Sequence, residues 1–589
     1  MEATDNNTLA TDGEPQPPAS RDGTHTEREH FFGAAKLMSA LTVLSRIAGM
    51  VRAMALANFG ANALTDAFTL AFQIPNFFRR LFGEGALSAA FVPVFTQTLQ
   101  GEDGLAKARR LLANAMGLLA LLMVGLMVLI HLGLLVWWFW PAITGGEPLP
   151  EDGRLLIQMT AVMLPFMVTI CLLALVSAAL NCRGHFWYPA AAPVLLNLVI
   201  IGASYLAYYG GDRGPEHLPG QLLLVSASVS VAGALQLVGV YWLLERSGFS
   251  LRMALRPIQP GVGQIARLMG PVILGLGFFQ LSELLSSVLA MWLAGPPGST
   301  MSVLGFTVNK PLDEGVLVRL ANARYLYQFP MGVLAISLGV AVFPLLSRYA
   351  ARDDMENFRH SVNRAARLSF MEGLASGAGL FVLAEPITRL LFRQGDYTDA
   401  DALATAFILK TYAVGMWAYC TYQIIVRAFY ALKNTRTPMI LSCVLQVVQL
   451  GLCFGLVWVA WREWFWFGGD SADGAGAFGL ATAITFSVNA VLLGVFLRRR
   501  LGRLGGRRMM VSAARSVLAT GAMVGALYAT LWLLAGWGVT GETRAQNGLI
   551  VAVAVPVGAS VFLTVAAALR APELSELAGP IFQRIRKRS

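Results

Sequence analysis

Apolar residues in this chain come in runs of about 20, the length an α-helix needs to cross the hydrocarbon of a bilayer. The runs recur from about residue 35 to about residue 569, with polar and turn-forming residues collected between them. A membrane β-barrel would show short alternating segments instead. The pattern therefore predicts an all-α polytopic membrane protein of about fourteen transmembrane helices. The first six spans fall near 35–59, 64–98, 109–140, 154–180, 187–209 and 220–244. The next six fall near 264–294, 318–347, 361–388, 400–430, 438–461 and 476–497, and the last two near 511–536 and 547–569. Pro75, Gly83 and Gly85 interrupt the second span, and Pro330 sits in the eighth. Such breaks are tolerated where backbone lines a cavity; a simple kink is the alternative reading.

The chain echoes itself. AFQIPN (Ala71–Asn76) pairs with LYQFPM (Leu326–Met331), Pro93 in FVPVF with Pro344 in VFPLL, and Pro189 with Pro438. Each offset is about 250 residues and covers six spans, an even number, so the two copies share one orientation. This predicts two six-helix lobes in parallel pseudo-repeat plus two extra C-terminal helices, with a substrate cavity between the lobes. The expected boundaries are a disordered cytoplasmic tail at 1–32, lobes at 33–246 and 247–500, an added helix pair at 501–572 and a basic tail at 573–589.

Composition fits this picture: 56% of residues are hydrophobic and only 13% charged. The net charge of +11 resides mostly in short loops between apolar runs, so it points to membrane topology and not to nucleic acid. With the N-terminus in the cytoplasm, one set of loops collects Lys107, Arg109, Arg110, Arg348, Arg352, Lys433, Arg436 and the stretch 498–508, which predicts both termini inside. Cys171, Cys182, Cys420, Cys443 and Cys453 lie in or beside apolar runs and are expected to pack, not to bind metal or cross-link. No phosphate-binding GxxxxGK[ST] loop and no HExxH pair occurs, so no cofactor is expected and transport is driven by an ion gradient, the membrane potential or the substrate gradient.

Charges within spans face the bundle interior and mark function. Arg46 and Arg52 lie six residues apart on the first span, about 120° around the helix. Asp66 lies near the start of the second span and Arg79 and Arg80 near its break. Guanidinium groups stay charged when poorly hydrated and match phosphate oxygens, so arginines clustered in one wet cavity suit an anionic substrate, with Asp66 holding an arginine while the anion is absent. The alternative is that Arg46 and Arg80 snorkel to interfaces while Arg52 and Asp66 form a structural ion pair. Glu283 on the seventh span reads either as a coupling-cation or proton site or as a paired structural carboxylate. Asn197 and Gln423 read as interhelical hydrogen-bond partners.

The segments SRIAGMVR, TDAF and IPNFFRRLFGEGALSAAFVPVF, between Ser45 and Phe95, closely resemble the first two spans of the MurJ (MviN) lipid II flippases, members of the multidrug/oligosaccharidyl-lipid/polysaccharide exporter superfamily. ALNCRGHFWYPAAAPVLLNL, QFPMGVLAISLGVAVFPLLS, LFRQGDYTDAD and AFYALKNTRTP extend the resemblance over nearly the whole chain from about residue 35, the last two spans matching in hydropathy alone. The resemblance implies a multi-pass protein of the bacterial inner membrane. Its substrate would be lipid II, an undecaprenyl-diphosphate glycan-pentapeptide, moved between leaflets by alternating access, with the last two helices forming a groove for the lipid tail. Arg46, Arg52 and Arg79 match the family's cavity arginines and Asp66 its cavity aspartate, while Ser45, Asn76 and Glu84 match other motif positions. Two departures stand out: Ala53 replaces an aspartate, and Tyr325 takes the place of the eighth-span arginine, with Arg324 one residue earlier. That offset turns a helix by about 100°, so Arg324 either faces the cavity through a local rotation or faces away. Some members hold sodium in the second lobe, for which Glu283 is the candidate here; sodium, protons or the membrane potential would then couple transport.

Rival functions are a flippase or exporter for another polyprenyl-diphosphate-linked glycan, a cation-coupled exporter of the same superfamily, and a membrane transferase or phosphatase. The cation exporter would want an acidic cavity, and the enzyme would need acid/base or metal-binding residues that are not legible here.

Overall fold

The computed structural model describes residues 21–212, 214–249, 253–296, 298–303, 305–462, 474–502 and 505–573. The first half is built from α1 (Arg21–Ala57), α2 (Ala63–Phe78), a π-helical turn (Arg79–Ala86), α3 (Leu87–Gln100), α4 (Gly104–Thr144), α5 (Glu151–Cys182), α6 (Trp187–Tyr209) and α7 (Leu218–Arg246). Next come α8 (Pro260–Leu293) and a hairpin of β1 (Thr300–Val303) and β2 (Phe306–Asn309), antiparallel with Thr300 opposite Asn309. The second half continues with α9 (Val316–Val333), α10 (Ala335–Ala351), α11 (Met355–Val382), α12 (Ala384–Phe392), α13 (Asp399–Val414), α14 (Met416–Ala431), α15 (Arg436–Arg462) and α16 (Gly476–Leu501). The last two helices are α17 (Gly506–Gly536) and α18 (Arg544–Ala568).

Each of the fourteen expected spans coincides with a helix or a broken helical passage. Among the described residues nine helices are long and apolar enough to cross a membrane, or up to eleven when two bent pairs each count as one span. The bends are 42° between α9 and α10 and 68° between α11 and α12. The second, seventh and tenth spans are outside that set: the second and tenth are broken, with 16 residues in α2, 14 in α3 and 16 each in α13 and α14, while the seventh is the single helix α8. The protein is thus an all-helical polytopic membrane protein; among the described residues the helices are interrupted by one short hairpin, which the sequence reading did not anticipate. The lipid-facing surface is plain on α4, whose most apolar stretch has a mean hydropathy of 2.7 and is only 11% buried within the fold. Ile143, 70% exposed, and Leu129, 64%, would be costly in water and are at home in hydrocarbon.

The proline echo is matched in three dimensions. Pro75 and Pro330 both lie near the C-terminal ends of the first members of broken passages, α2 and α9, and Pro93 and Pro344 lie within the second members, α3 and α10. Pro189 and Pro438 both occupy the first turn of a helix, α6 and α15, where no backbone hydrogen bond is lost. Within the first half, α5 is the central helix and packs on α2, α4 and α7. Within the second, α11 packs on α14 through Gly373 and Gly377, a G-x-x-x-G pair that admits close backbones. A Cβ on Gly373 would lie 2.9 Å from Cα of Trp417 and 3.0 Å from Cβ of Cys420.

Two expected boundaries shift. Residues 21–32, expected as disordered tail, begin α1, because extending an existing helix costs far less than nucleating one; residues 1–20 lie outside the described residues, as do 574–589. Glu573, expected as the first residue of a solvated tail, is 1% exposed: its Oε1 lies 2.9 Å from Nη1 of Arg367 on α11 and accepts from Ser512 Oγ of α17 at 2.7 Å. Removing one partner of a buried ion pair strands the other. Glu573→Ala should therefore destabilise the protein by about 3–5 kcal/mol, read as a lower midpoint of thermal unfolding in detergent. The double replacement Arg367→Met/Glu573→Leu should recover most of the loss.

Candidate functional site: an arginine-lined cavity between the halves

The passage from α1 to α2 sets the geometry of the site. Asn62 caps α2, accepting from Thr65 N at 3.0 Å while Thr65 Oγ1 accepts from Asn62 N at 2.9 Å. This places Asp66 in the first turn of α2, buried at 2% exposure. Asp66 is not paired with Arg52, as one sequence reading had it. Its Oδ2 accepts from Gly315 N at 2.8 Å, and its Oδ1 accepts from Leu317 N at 2.8 Å and Val318 N at 3.1 Å. Asp66 is therefore the N-terminal cap of α9, supplied from the other half of the molecule. Gly315 has φ +83°, and a Cβ there would run into the backbone of Ala61, so the close approach needs glycine. The same end carries a second tie, in which Asp396 N donates to Asn58 O at 2.9 Å and the Gln394 amide donates to Met54 O.

Further along the same helices lies a cavity of about 160 Å³, lined by Arg52 of α1, Asn76 of α2, Arg80 of the π-turn, Gln280 and Glu283 of α8, and Arg324 and Tyr325 of α9, among others. Arg52 is 8% exposed; its Nη2 donates to Tyr325 Oη at 2.6 Å, and its guanidinium stands over Phe72 at 5.2 Å and Tyr325 at 5.8 Å. Its Nε is buried with no hydrogen-bond partner. Glu283 bridges two arginines: Oε2 lies 2.6 Å from Arg80 Nη1 and Oε1 lies 3.1 Å from Arg324 Nη1. Gln280 Oε1 accepts from the same Arg80 nitrogen at 3.1 Å. Three guanidinium groups facing one carboxylate leave the lining with two surplus positive charges.

The sequence-predicted residues are therefore only partly gathered. Arg52, Asn76, Glu283 and Arg324 line the cavity; Arg46, Asp66 and Arg79 are outside its lining. Arg46 lies with its guanidinium against Gly332 of α9, and Arg79 Nε donates to Asn76 Oδ1 at 3.1 Å. Ser45 joins α1 to α6, its backbone oxygen accepting from Asn197 Nδ2 at 3.2 Å, so Asn197 is the interhelical partner expected. Gln423 instead accepts from Arg427 on its own helix at 3.3 Å. The side chain of Glu84 lies outside the described residues. Arg324 and Tyr325 both reach the cavity, so the one-residue offset does not turn Arg324 away. Arg80, read in the alternative as snorkelling to an interface, lines the cavity, where Gln280 and Glu283 of α8 accept from it. Glu283, held by two guanidinium groups, is a paired carboxylate here, and among the described residues no cluster of three His, Cys, Asp or Glu could hold a metal ion.

The model of the family described as "Lipid II flippase MurJ" matches residues 56–545. The chain belongs to the MurJ lipid II flippase family. It is 30% identical over 517 residues to the probable lipid II flippase MurJ of Bdellovibrio bacteriovorus, covering 88% of this chain and 91% of that one. It is 29% identical to the Vibrio cholerae protein of the same description, covering 89% and 94%. Among solved structures, the fold is similar to "Lipid II flippase MurJ, inward closed conformation", with a TM-score of 0.67 at 21% identity over 93% of this chain and 99% of that one. An inward-facing multidrug resistance MATE family transporter of the MOP superfamily is also similar in fold, with a TM-score of 0.59 at 16% identity over 80% and 98%. The MurJ family is one of transporters and not of enzymes, which removes the transferase and phosphatase readings.

The Asp66 cap generates a prediction. Asp66→Ala should leave the amide of the N-cap Gly315 and two α9 amides without their acceptor, and amide hydrogen exchange at Gly315, Leu317 and Val318 should accelerate about tenfold or more. Unchanged protection there would mean the cap does not hold α9.

Proposed function

We propose that this protein carries lipid II from the inner to the outer leaflet of the bacterial inner membrane by alternating access. Its termini lie in the cytoplasm, with 33–246 and 247–500 acting as the two lobes. The observation that carries this reading is the cavity between the halves, where Arg52, Arg80 and Arg324 outnumber Glu283. A diphosphate is the part of such a substrate least able to cross hydrocarbon, and guanidinium forks suit its oxygens. Arg46 and Arg79 stand beside this lining and meet the headgroup on its way in or out, while Ser45, Asn76 and Glu84 belong to the same two helical passages. The apolar outer face of residues 501–572, where Trp532 is 76% exposed, suits the long tail, which stays in lipid.

The basic loops support this orientation. With the termini inside, the ends joined by Asp66, Asn58 and Asp396 face outward, and those ties close the outer mouth. A surplus of positive charge in the cavity disfavours export of cationic compounds. A flippase for another polyprenyl-diphosphate-linked glycan would need the same arginines. Any sodium coupling would require Glu283 to leave its arginines.

Two measurements test the reading. In cells depleted of their own flippase, the unaltered chain should support growth and Arg52→Ala should not. In detergent, the unaltered chain should bind a short-chain polyprenyl diphosphate, and Arg52→Lys, which loses the planar fork, should bind it about tenfold or more weakly. Equal growth with Arg52→Ala would sink the proposal.

A further inference from the structure

We propose that Glu283 is a built-in stand-in for the substrate's phosphate: it occupies the arginines when the carrier is empty and is displaced when a diphosphate ester arrives. The inference rests on the anion-carrier reading above and adds to it a device for the empty carrier. Its two carboxylate oxygens are divided between two guanidinium groups, one from each half of the molecule: Arg80 at 2.6 Å from the π-turn and Arg324 at 3.1 Å from α9. Two oxygens shared between two arginines is the arrangement a phosphate group would adopt in the same place.

Three further observations fit a displaceable partner. The Glu283 side chain is 28% exposed and lines the cavity, so a ligand entering the cavity reaches it directly. Gln280, one turn earlier on α8, accepts from the same Arg80 nitrogen at 3.1 Å and keeps that arginine in position after the carboxylate swings away. Arg52 already offers a buried Nε without a partner, a donor that Glu283 does not satisfy.

The chemistry explains why a carrier needs such a group. Three guanidinium groups around one small cavity repel one another and are expensive to leave unpaired. Glu283 lowers that cost in the empty state, so the halves can rearrange without cargo. It also competes with cargo, which keeps binding weak enough for release. The carboxylate therefore trades affinity for turnover.

The test uses the full chain in detergent, with inorganic pyrophosphate and farnesyl diphosphate as probes. Glu283→Gln should bind both about tenfold more tightly than the unaltered chain, while its growth support in the depletion assay falls. Glu283→Asp keeps the charge but is too short to span both arginines, and it should bind about threefold more tightly. If Glu283→Gln does not fold, the aspartate variant decides the matter. If the unaltered chain binds the probes and the variants bind them equally or more weakly, the stand-in role is overturned while the carrier reading survives. If neither the unaltered chain nor any variant binds either probe, the carrier reading itself fails.

Discussion

The first turn of any helix presents backbone N–H groups that the helix itself cannot satisfy, and within a membrane protein water is not there to take them. In this fold the N-cap residue Gly315 and the first turn of α9 together give three N–H groups to one carboxylate, that of Asp66 on α2. The match is favourable twice over, since an anion at a helix N-terminus also meets the positive end of its dipole. The two helices joined in this way are the equivalent members of the two halves, as Pro75 and Pro330 mark them. The halves thus meet through one buried charge and one helix end, and the arginine cavity lies along the same pair of helices beyond that junction.

Seen from this junction, the placement of the remaining charges has a simple logic. Every guanidinium of the cavity wall is anchored by something short of full neutralisation. Arg52 has a phenol and two ring faces, Arg80 has a carboxylate oxygen and an amide, and Arg324 has the other carboxylate oxygen. Deeper in the second half, Arg319 and Asp401 make a buried pair at 3.0 Å, reinforced by the Glu314 backbone oxygen, which has no such surplus. The contrast separates a charge neutralised within the structure from charges left only partly neutralised at the cavity wall.

Much of this was legible from the chain alone, and the exceptions have physical causes. Span positions follow from apolar length, and the pseudo-repeat follows from paired prolines whose effect on backbone is local. Pairings across 249 to 252 residues, such as Asp66 with the start of α9, leave no local trace, so Asp66 was assigned to an arginine. Arg79 was taken from the family resemblance, while the partners of Arg80 lie 200 and 203 residues away on α8 and leave no local trace either. The burial of Glu573 was hidden because a carboxylate next to a polar tail reads as solvated. Its partner Arg367 looks equally ordinary on an amphipathic helix.

The last two helices pack on α11 and α12, and Arg544 Nε donates to Leu390 O at 2.9 Å to fasten them there. They therefore ride as a fixed attachment on the second half. Trp537, 81% exposed at the end of α17, marks the outer edge of that attachment. A pair of dyes, one at this edge and one on α4, would report any change in the separation of the two halves without a label near the arginines.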